Sequence, residues 1–322
     1  MQPDPPVIAI LGARWPDLAV EELVLDGYQL RRSDGSTYDE ILEAAADAVA
    51  IIAGPRPPLD AAALQALPAK AIVRYGVGVD NVDLVAASDL GKWVANVPDY
   101  GTEAVALHAV AMALAAVRRL AQADRALRTG DWGFNSLRPL HLPSAMTAGV
   151  VGFGRIGRTV ATHFGALGFS KVYATDALAP IDPDVAESVV LMRLLSSSTV
   201  VSLHAPGAAD GTPLIGRPEL AMMRPGSILV NTARGSLVDT EALVAGLARG
   251  RPAFAALDVF EREPPDLSVF ADLEDRVLLT PHMAWYTEQS ERDLRRKAAE
   301  EALRILRGER PRYPVAEPGG AG

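Results

Sequence analysis

Gly152-Phe153-Gly154-Arg155-Ile156-Gly157 stands between an apolar run, Ala148-Gly149-Val150-Val151, and a helix-patterned stretch from Arg158 to Leu167. Lys171-Val172-Tyr173-Ala174-Thr175 then reads as a second strand ending at Asp176. Strand, glycine turn, helix, strand and acid in that order make a dinucleotide-binding βαβ unit. Gly152, Gly154 and Gly157 permit a tight turn, close approach of backbone to a pyrophosphate, and close packing of helix on strand. The helix start offers free N–H groups and the positive end of a dipole to phosphates. Asp176 lies roughly 20 residues beyond Gly157, where a carboxylate meets the adenosine ribose hydroxyls. The unit begins near mid-chain, so a sizeable body folds before it.

A chain of 322 residues has room for two domains. Its 49% hydrophobic and 22% charged residues are the balance of a globular protein. A net charge of -9 argues against a nucleic-acid surface. The nearest basic cluster is Arg292, Arg295, Arg296 and Lys297, interleaved with Glu288, Glu291, Glu300 and Glu301, and it reads as a solvated helix face. Without cysteine there are no disulfides, thiolate metal sites or thiol nucleophiles. The histidines, His108, His141, His163, His204 and His282, form no HxH or HExxH cluster, so no metal is expected. Residues 1–6 lack the basic start and apolar core of a signal peptide. No apolar run reaches the roughly 18 residues of a membrane span. Residues 104–117 come nearest, but His108 and the flanking charges mark a buried helix. The expectation is a cytoplasmic protein with neither nucleic-acid nor membrane partner.

Short apolar strands are predicted at 7–11, 48–53, 71–74 and 93–97, with helices at 38–46 and 59–67 between them. This alternation predicts a small doubly wound parallel sheet ahead of the glycine loop. Residues 102–128 read as one or two helices with Thr102 as N-cap. Beyond Asp176, strands at 198–203, 226–231, 253–257 and 277–279 end at His204-Ala205-Pro206, Thr232-Ala233-Arg234, Asp258 and Thr280-Pro281-His282. Polar groups therefore gather at strand carboxyl ends, where open α/β sheets bind ligands. The Pro/Gly-rich tail from Glu309 to Gly322 reads as mobile.

Asn231-Thr232-Ala233-Arg234-Gly235, Leu257-Asp258-Val259-Phe260, Glu261-Arg262-Glu263-Pro264 and Thr280-Pro281-His282 stand downstream of the glycine loop. Upstream are Tyr75-Gly76-Val77-Gly78-Val79-Asp80 and Asn96-Val97-Pro98-Asp99-Tyr100. Together, from about residue 50 to 310, they resemble the D-isomer-specific 2-hydroxyacid dehydrogenase family. The residue types suit reduction of a 2-oxo acid, which needs a hydride, a proton and a grip on the carboxylate. Histidine gives a proton near neutral pH. A neighbouring carboxylate orients its ring, and the planar arginine fork binds carboxylate and polarises a carbonyl.

The resemblance implies NAD as cofactor, with Asp176 disfavouring a 2′-phosphate. It makes His282 the acid/base, Glu263 its partner and Arg234 the substrate clamp, although the residues alone leave Glu261 as a rival to Glu263. Substrate would be held at Arg74, Tyr75, Val77 and Gly78. Arg155 and Ile156 would lie on the pyrophosphate, Thr232 and Asp258 beside the nicotinamide. Thr102, His204, Ala205, Pro206, Ala233 and Ala284 complete the expected cofactor contacts. His108 reads as a core residue of its helix. Pro281-His282-Met283-Ala284-Trp285-Tyr286 is more similar still to the C-terminal-binding-protein branch, with Trp285 as a pocket wall. The stretch Gly207-Ala208-Ala209-Asp210-Gly211 departs from the family pattern, as does 135–143.

The implied architecture is a Rossmann cofactor domain, 99–285, inserted into a flavodoxin-like substrate domain, 1–98 plus 286–322. Closure would bend the chain near Pro98–Gly101 and Pro281–Trp285. A homodimer is implied, with 104–127 and the arm at Gly130-Asp131-Trp132 as its interface. The implied partner is a 2-oxo or 2-hydroxy acid. An NAD(H)-sensing scaffold, or an enzyme acting on phosphite or a phosphonate-bearing oxo acid, stands as the alternative.

Overall fold

The computed structural model describes residues 4–208 and 210–319. The sequence readings at Met1–Pro3, at Ala209 and at Gly320–Gly322 therefore lie outside the described residues. The chain forms two compact α/β units: one runs to Gly101 and resumes at Thr287, and the other is Thr102–Tyr286.

In the first unit β1 (Val7–Leu11), β2 (Gln29–Ser33), β3 (Ala48–Ala53), β4 (Ala71–Arg74) and β5 (Trp93–Ala95) pair in parallel. The second unit is built on β6 (Thr147–Val151), β7 (Lys171–Thr175), β8 (Glu187–Ser188), β9 (Val200–Leu203), β10 (Ile228–Asn231), β11 (Phe254–Leu257) and β12 (Val277–Leu279). All seven are parallel, in the order β12-β11-β10-β9-β6-β7-β8. The chain then returns to the first sheet with β13 (Pro314–Ala316), antiparallel to β5, giving the order β13-β5-β4-β3-β1-β2.

Successive side chains of a strand point to opposite faces, and a parallel sheet buries both. The second sheet follows this rule. Ala148, Val150, Val200, Ile228, Val230, Phe254 and Ala256 enter one core, beneath the helices Thr102–Val117 and Arg155–Ala166. Val151, Val201, Leu203, Leu229, Ala255 and Leu257 enter the other. Gly149 is required by packing: a Cβ there would come within 2.5 Å of Leu194 Cδ2. The 102–128 region is two helices, Thr102–Val117 and Leu120–Arg128, broken where Arg119 takes φ 50°. Thr102 is the first helical residue rather than the cap. Among the described residues no single helix is long and apolar enough to cross a membrane.

Two sequence expectations are corrected. The tail is not loose throughout, because β13 pairs with β5 and Ser88 Oγ donates to the Glu317 carbonyl at 2.7 Å. Nor is the basic cluster of helix Glu288–Leu306 wholly solvated. Arg295 is 5% exposed, and its guanidinium donates to Glu21, which is fully buried, at 2.7–3.1 Å and to Asp17. Arg295 also lies 5.0 Å over the Trp15 ring. Periodicity places a charged residue on the polar face of a helix, but it does not show that a buried acid waits opposite.

Candidate active site

The glycine loop leaves β6 and enters helix Arg155–Ala166, with Gly154 as N-cap. Its glycines have different reasons to be there. Gly152 has φ 89°, and a Cβ would strike the His204–Ala205 backbone at 2.5–2.7 Å. A Cβ on Gly157 would lie 1.9 Å from the Gly152 carbonyl oxygen. Gly154 faces open space, so no protein contact explains it and a side chain would fill the cradle instead. That is the place a pyrophosphate needs at this helix start.

Asp176 follows β7. Its Oδ2 accepts from Phe153 N at 2.6 Å, and Oδ1 accepts from Leu178 and Ala179 N at 2.7 Å. Partial burial works against its charge, but these three amides outweigh it and hold the carboxyl below its usual range. The glycine loop and the acid are thus one hydrogen-bonded assembly, in which Asp176 stays ionised.

His204 ends β9. Its Nε2 lies 2.8 Å from Ser202 Oγ, and burial pushes the imidazole down to about 3, so the ring is neutral. Ala205 and Pro206 continue that strand end. After β10, Asn231 accepts from Ala233 N at 3.1 Å and donates to the Arg234 carbonyl at 2.8 Å, fixing the turn that carries Arg234. The Arg234 guanidinium is half-buried and donates to the Ala233 carbonyl. Thr232 Oγ1, on the same turn, is enclosed and lacks a hydrogen-bond partner among the described residues. An enclosed hydroxyl without a partner is costly and fits a ligand group there.

His282 and Glu263 meet. His282 Nδ1 is 2.7 Å from Glu263 Oε2, and the two side chains are 46% and 38% exposed. Glu263 Oε1 also accepts from Phe260 N at 3.2 Å. Glu261, the rival acid, turns away and accepts from Thr240 N at 2.9 Å. The geometry thus separates two carboxylates that sequence alone left open.

Asp258 is fully buried. Its Oδ1 accepts from Thr280 Oγ1 at 2.6 Å and Met283 N at 2.9 Å, and its Oδ2 accepts from Ala284 N at 2.9 Å. The residue expected beside the nicotinamide is therefore enclosed, with both oxygens engaged by the His282 loop. His108, expected in the helix core, instead reaches Thr280 Oγ1 at 3.1 Å. Trp285 is half-buried, with its ring edge-on to Tyr286 at 5.6 Å.

In the first unit, the side chains of two residues expected at the substrate have protein partners. Tyr75 is 5% exposed, packs edge-on to Trp15 at 4.7 Å and donates its hydroxyl to Glu21 at 3.0 Å. Burial, reinforced by the Glu21 charge, raises its phenol well above the usual range. Arg74 is 8% exposed; its Nε donates to Asn81 at 3.0 Å and its Nη1 to the Tyr75 carbonyl. Both side chains brace the loop from within. Gly76 has φ 129°, and the carbonyls of Gly76 and Val77 accept from Val97 N and Asn96 Nδ2. Val77 is 43% exposed.

A sequence profile of the D-isomer specific 2-hydroxyacid dehydrogenase, NAD binding domain, matches residues 110–284. D-3-phosphoglycerate dehydrogenase of Archaeoglobus fulgidus is 35% identical over 294 residues, covering 90% of this chain and 55% of that protein. Glyoxylate reductase of Thermococcus litoralis is 36% identical over 250 residues, 75% of each chain. The crystal structure of D-lactate dehydrogenase from Aquifex aeolicus, complexed with NAD and lactic acid, superposes with a TM-score of 0.86 at 27% identity, covering 98% of this chain and 100% of that one. This chain belongs to the D-isomer-specific 2-hydroxyacid dehydrogenase family and carries its NAD-binding domain. It spans about half the length of the phosphoglycerate dehydrogenases it matches.

Proposed function

We propose that this chain is an NAD-dependent oxidoreductase that interconverts a 2-oxo acid and a D-2-hydroxy acid. The observation that carries the reading is the open His282–Glu263 pair, 2.7 Å apart, on a chain whose glycine loop and Asp176 suit NAD. NAD supplies or accepts the hydride when bound. With Nδ1 donating to Glu263, His282 keeps Nε2 to give a proton to the oxo oxygen, or to take it back from the alcohol. Glu263 fixes the tautomer and stabilises the imidazolium. Arg234, on its Asn231-braced turn, binds the substrate carboxylate and polarises the carbonyl. The amides of Val77 and Gly78 are further carboxylate donors.

Trp285 is the proposed pocket wall, as the similarity of 281–286 to the C-terminal-binding-protein branch implies. A homodimer is also part of the proposal. Its interface is the 104–127 segment with the Gly130–Trp132 arm, where Leu107, Leu120 and Trp132 are 60%, 56% and 88% exposed, apolar groups that a second subunit would cover.

A panel of 2-oxo acids with NADH tests the reading. His282→Ala should lower kcat by about 10³-fold, the scale of a lost acid/base group, with NADH affinity kept. Absence of turnover on every acid, by protein that binds NADH, overturns it.

A further inference from the structure

We infer that His108 is a positioning residue, acting through Thr280 and Asp258 to hold the backbone of His282 in its working conformation. This rests on the reading of His282 as the acid/base. His282 has φ 51°, a left-handed conformation that non-glycine residues rarely adopt and that persists only where the surroundings impose it. The constraint is Asp258. His282 N donates to the Asp258 carbonyl at 2.8 Å, while the next two amides, Met283 and Ala284, donate to its carboxylate at 2.9 Å. The strained residue is thus pinned at three consecutive amides by one fully buried acid.

The carboxylate is in turn held by Thr280 Oγ1 at 2.6 Å. A hydroxyl has one proton to give. Since Thr280 gives it to Asp258, its oxygen accepts from His108 Nε2, 3.1 Å away, and the Nε2-protonated form of His108 is selected. His108 Nε2 is also 3.7 Å from Asp258 Oδ1. A donor chain therefore runs from helix Thr102–Val117 through Thr280 to Asp258, and such chains polarise each bond in turn. His108 stands in an Ala/Val/Leu/Met helix with a single acid in its first turn, where packing alone calls for no imidazole.

The test uses the full chain with His108→Leu, His108→Gln, Thr280→Val and the Leu/Val double variant. The readouts are kcat and KM on the best oxo acid, NADH affinity by fluorescence, and hydrogen exchange of the Met283 and Ala284 amides. His108→Leu should lower kcat about tenfold, the scale of one lost hydrogen bond, leave NADH affinity within about twofold, and speed exchange at both amides. His108→Gln, which keeps an N–H donor, should recover most of the loss. Thr280→Val should match His108→Leu, and the double variant should cost no more than either single change, since all cut one chain. Wild-type kcat and wild-type exchange in His108→Leu overturn the inference. If that variant does not fold, unchanged exchange in Thr280→Val overturns it equally. Exchange is read without substrate, so a protein that turns over no acid fails the functional reading while the coupling is still decided.

Discussion

Two acid–base contacts of equal length lie in different units. Arg295 meets Glu21 at 2.7 Å in the first, and His282 meets Glu263 at 2.7 Å in the second. The distances match; the surroundings do not. The Glu21 and Arg295 side chains are 0% and 6% exposed, against 38% and 46% for Glu263 and His282. A buried pair must satisfy each of its charges within the protein, so Arg295 is surrounded by Glu21, Asp17 and the Trp15 ring. An open pair is screened by water and adds little to stability, but its ring can reach a reactant. Exposure, not separation, is what sets the enclosed pair apart from the pair proposed to act on substrate.

Breaking each pair in the same way gives the largest contrast. Glu21→Ala leaves Arg295 enclosed with the exposed Asp17 and, at 3.7 Å, the half-buried Glu291 as its remaining acids, and should cost about 3–5 kcal/mol in urea unfolding. Glu263→Ala should change stability by less than about 1 kcal/mol. It should lower kcat by about 10²-fold, because His282 loses the partner that fixes its tautomer. Equal destabilisation by the two variants would show that the distinction is wrong.

The parts of the fold legible in sequence are those whose pattern comes from their own residues. Ala48–Ala53, Ala71–Arg74, Lys171–Thr175 and Val277–Leu279 are read to the residue, because a buried parallel strand is a short apolar run. Gln29-Leu30-Arg31-Arg32-Ser33 is not legible. It is an edge strand paired only with β1, and its polar side chains have partners outside the sheet, Arg31 with Asp47 and Arg32 with the Pro16 and Ala13 carbonyls. β13 hides in a Pro/Gly tail for the same reason: its pairing comes from β5.

In the candidate site, the glycine loop, Arg234 and His282 could be read from their places at strand ends. The family resemblance implies substrate contacts at Arg74 and Tyr75, beside the Gly76–Gly78 loop. A matched motif does not fix where a side chain points: Arg74 Nε meets Asn81 and the Tyr75 hydroxyl meets Glu21. Glu261 and Glu263 could be told apart only by which one meets the His282 ring.

A second test moves to the half-buried His204 at the end of β9. His204 is held neutral, down to about 3, by burial beside Ser202. An unfolded histidine takes a proton below about 6.5, which the folded chain refuses. The unfolded state then binds more protons, so this contribution is present above pH 6.5 and lost as the pH falls from there toward 3. Between pH 7 and 5 the wild type should lose on the order of 2 kcal/mol more stability than His204→Asn. Equal losses would mean that His204 is reached by water, and that its group belongs with the open pair.

Tyr75 gives the smallest effect and the sharpest view of the first unit. Its hydroxyl donates to Glu21, and burial with the Glu21 charge raises its phenol well above the usual range, the Arg295 charge opposing them. Tyr75→Phe removes one donor to an acid that keeps Arg295, so near pH 8 it should cost about 1 kcal/mol. Above about pH 10 the unfolded phenol ionises while the folded one keeps its proton. The contribution is therefore complete below pH 10 and lost as the pH rises toward the folded value, at up to about 1.4 kcal/mol per pH unit. Tyr75→Phe lacks this slope, so its deficit against wild type should shrink or reverse between pH 8 and 10.5 in urea melts. Parallel curves would mean that the Tyr75 hydroxyl is open to solvent. Glu21 would then stabilise the first unit through Arg295 alone, and the enclosed network would reduce to a single pair.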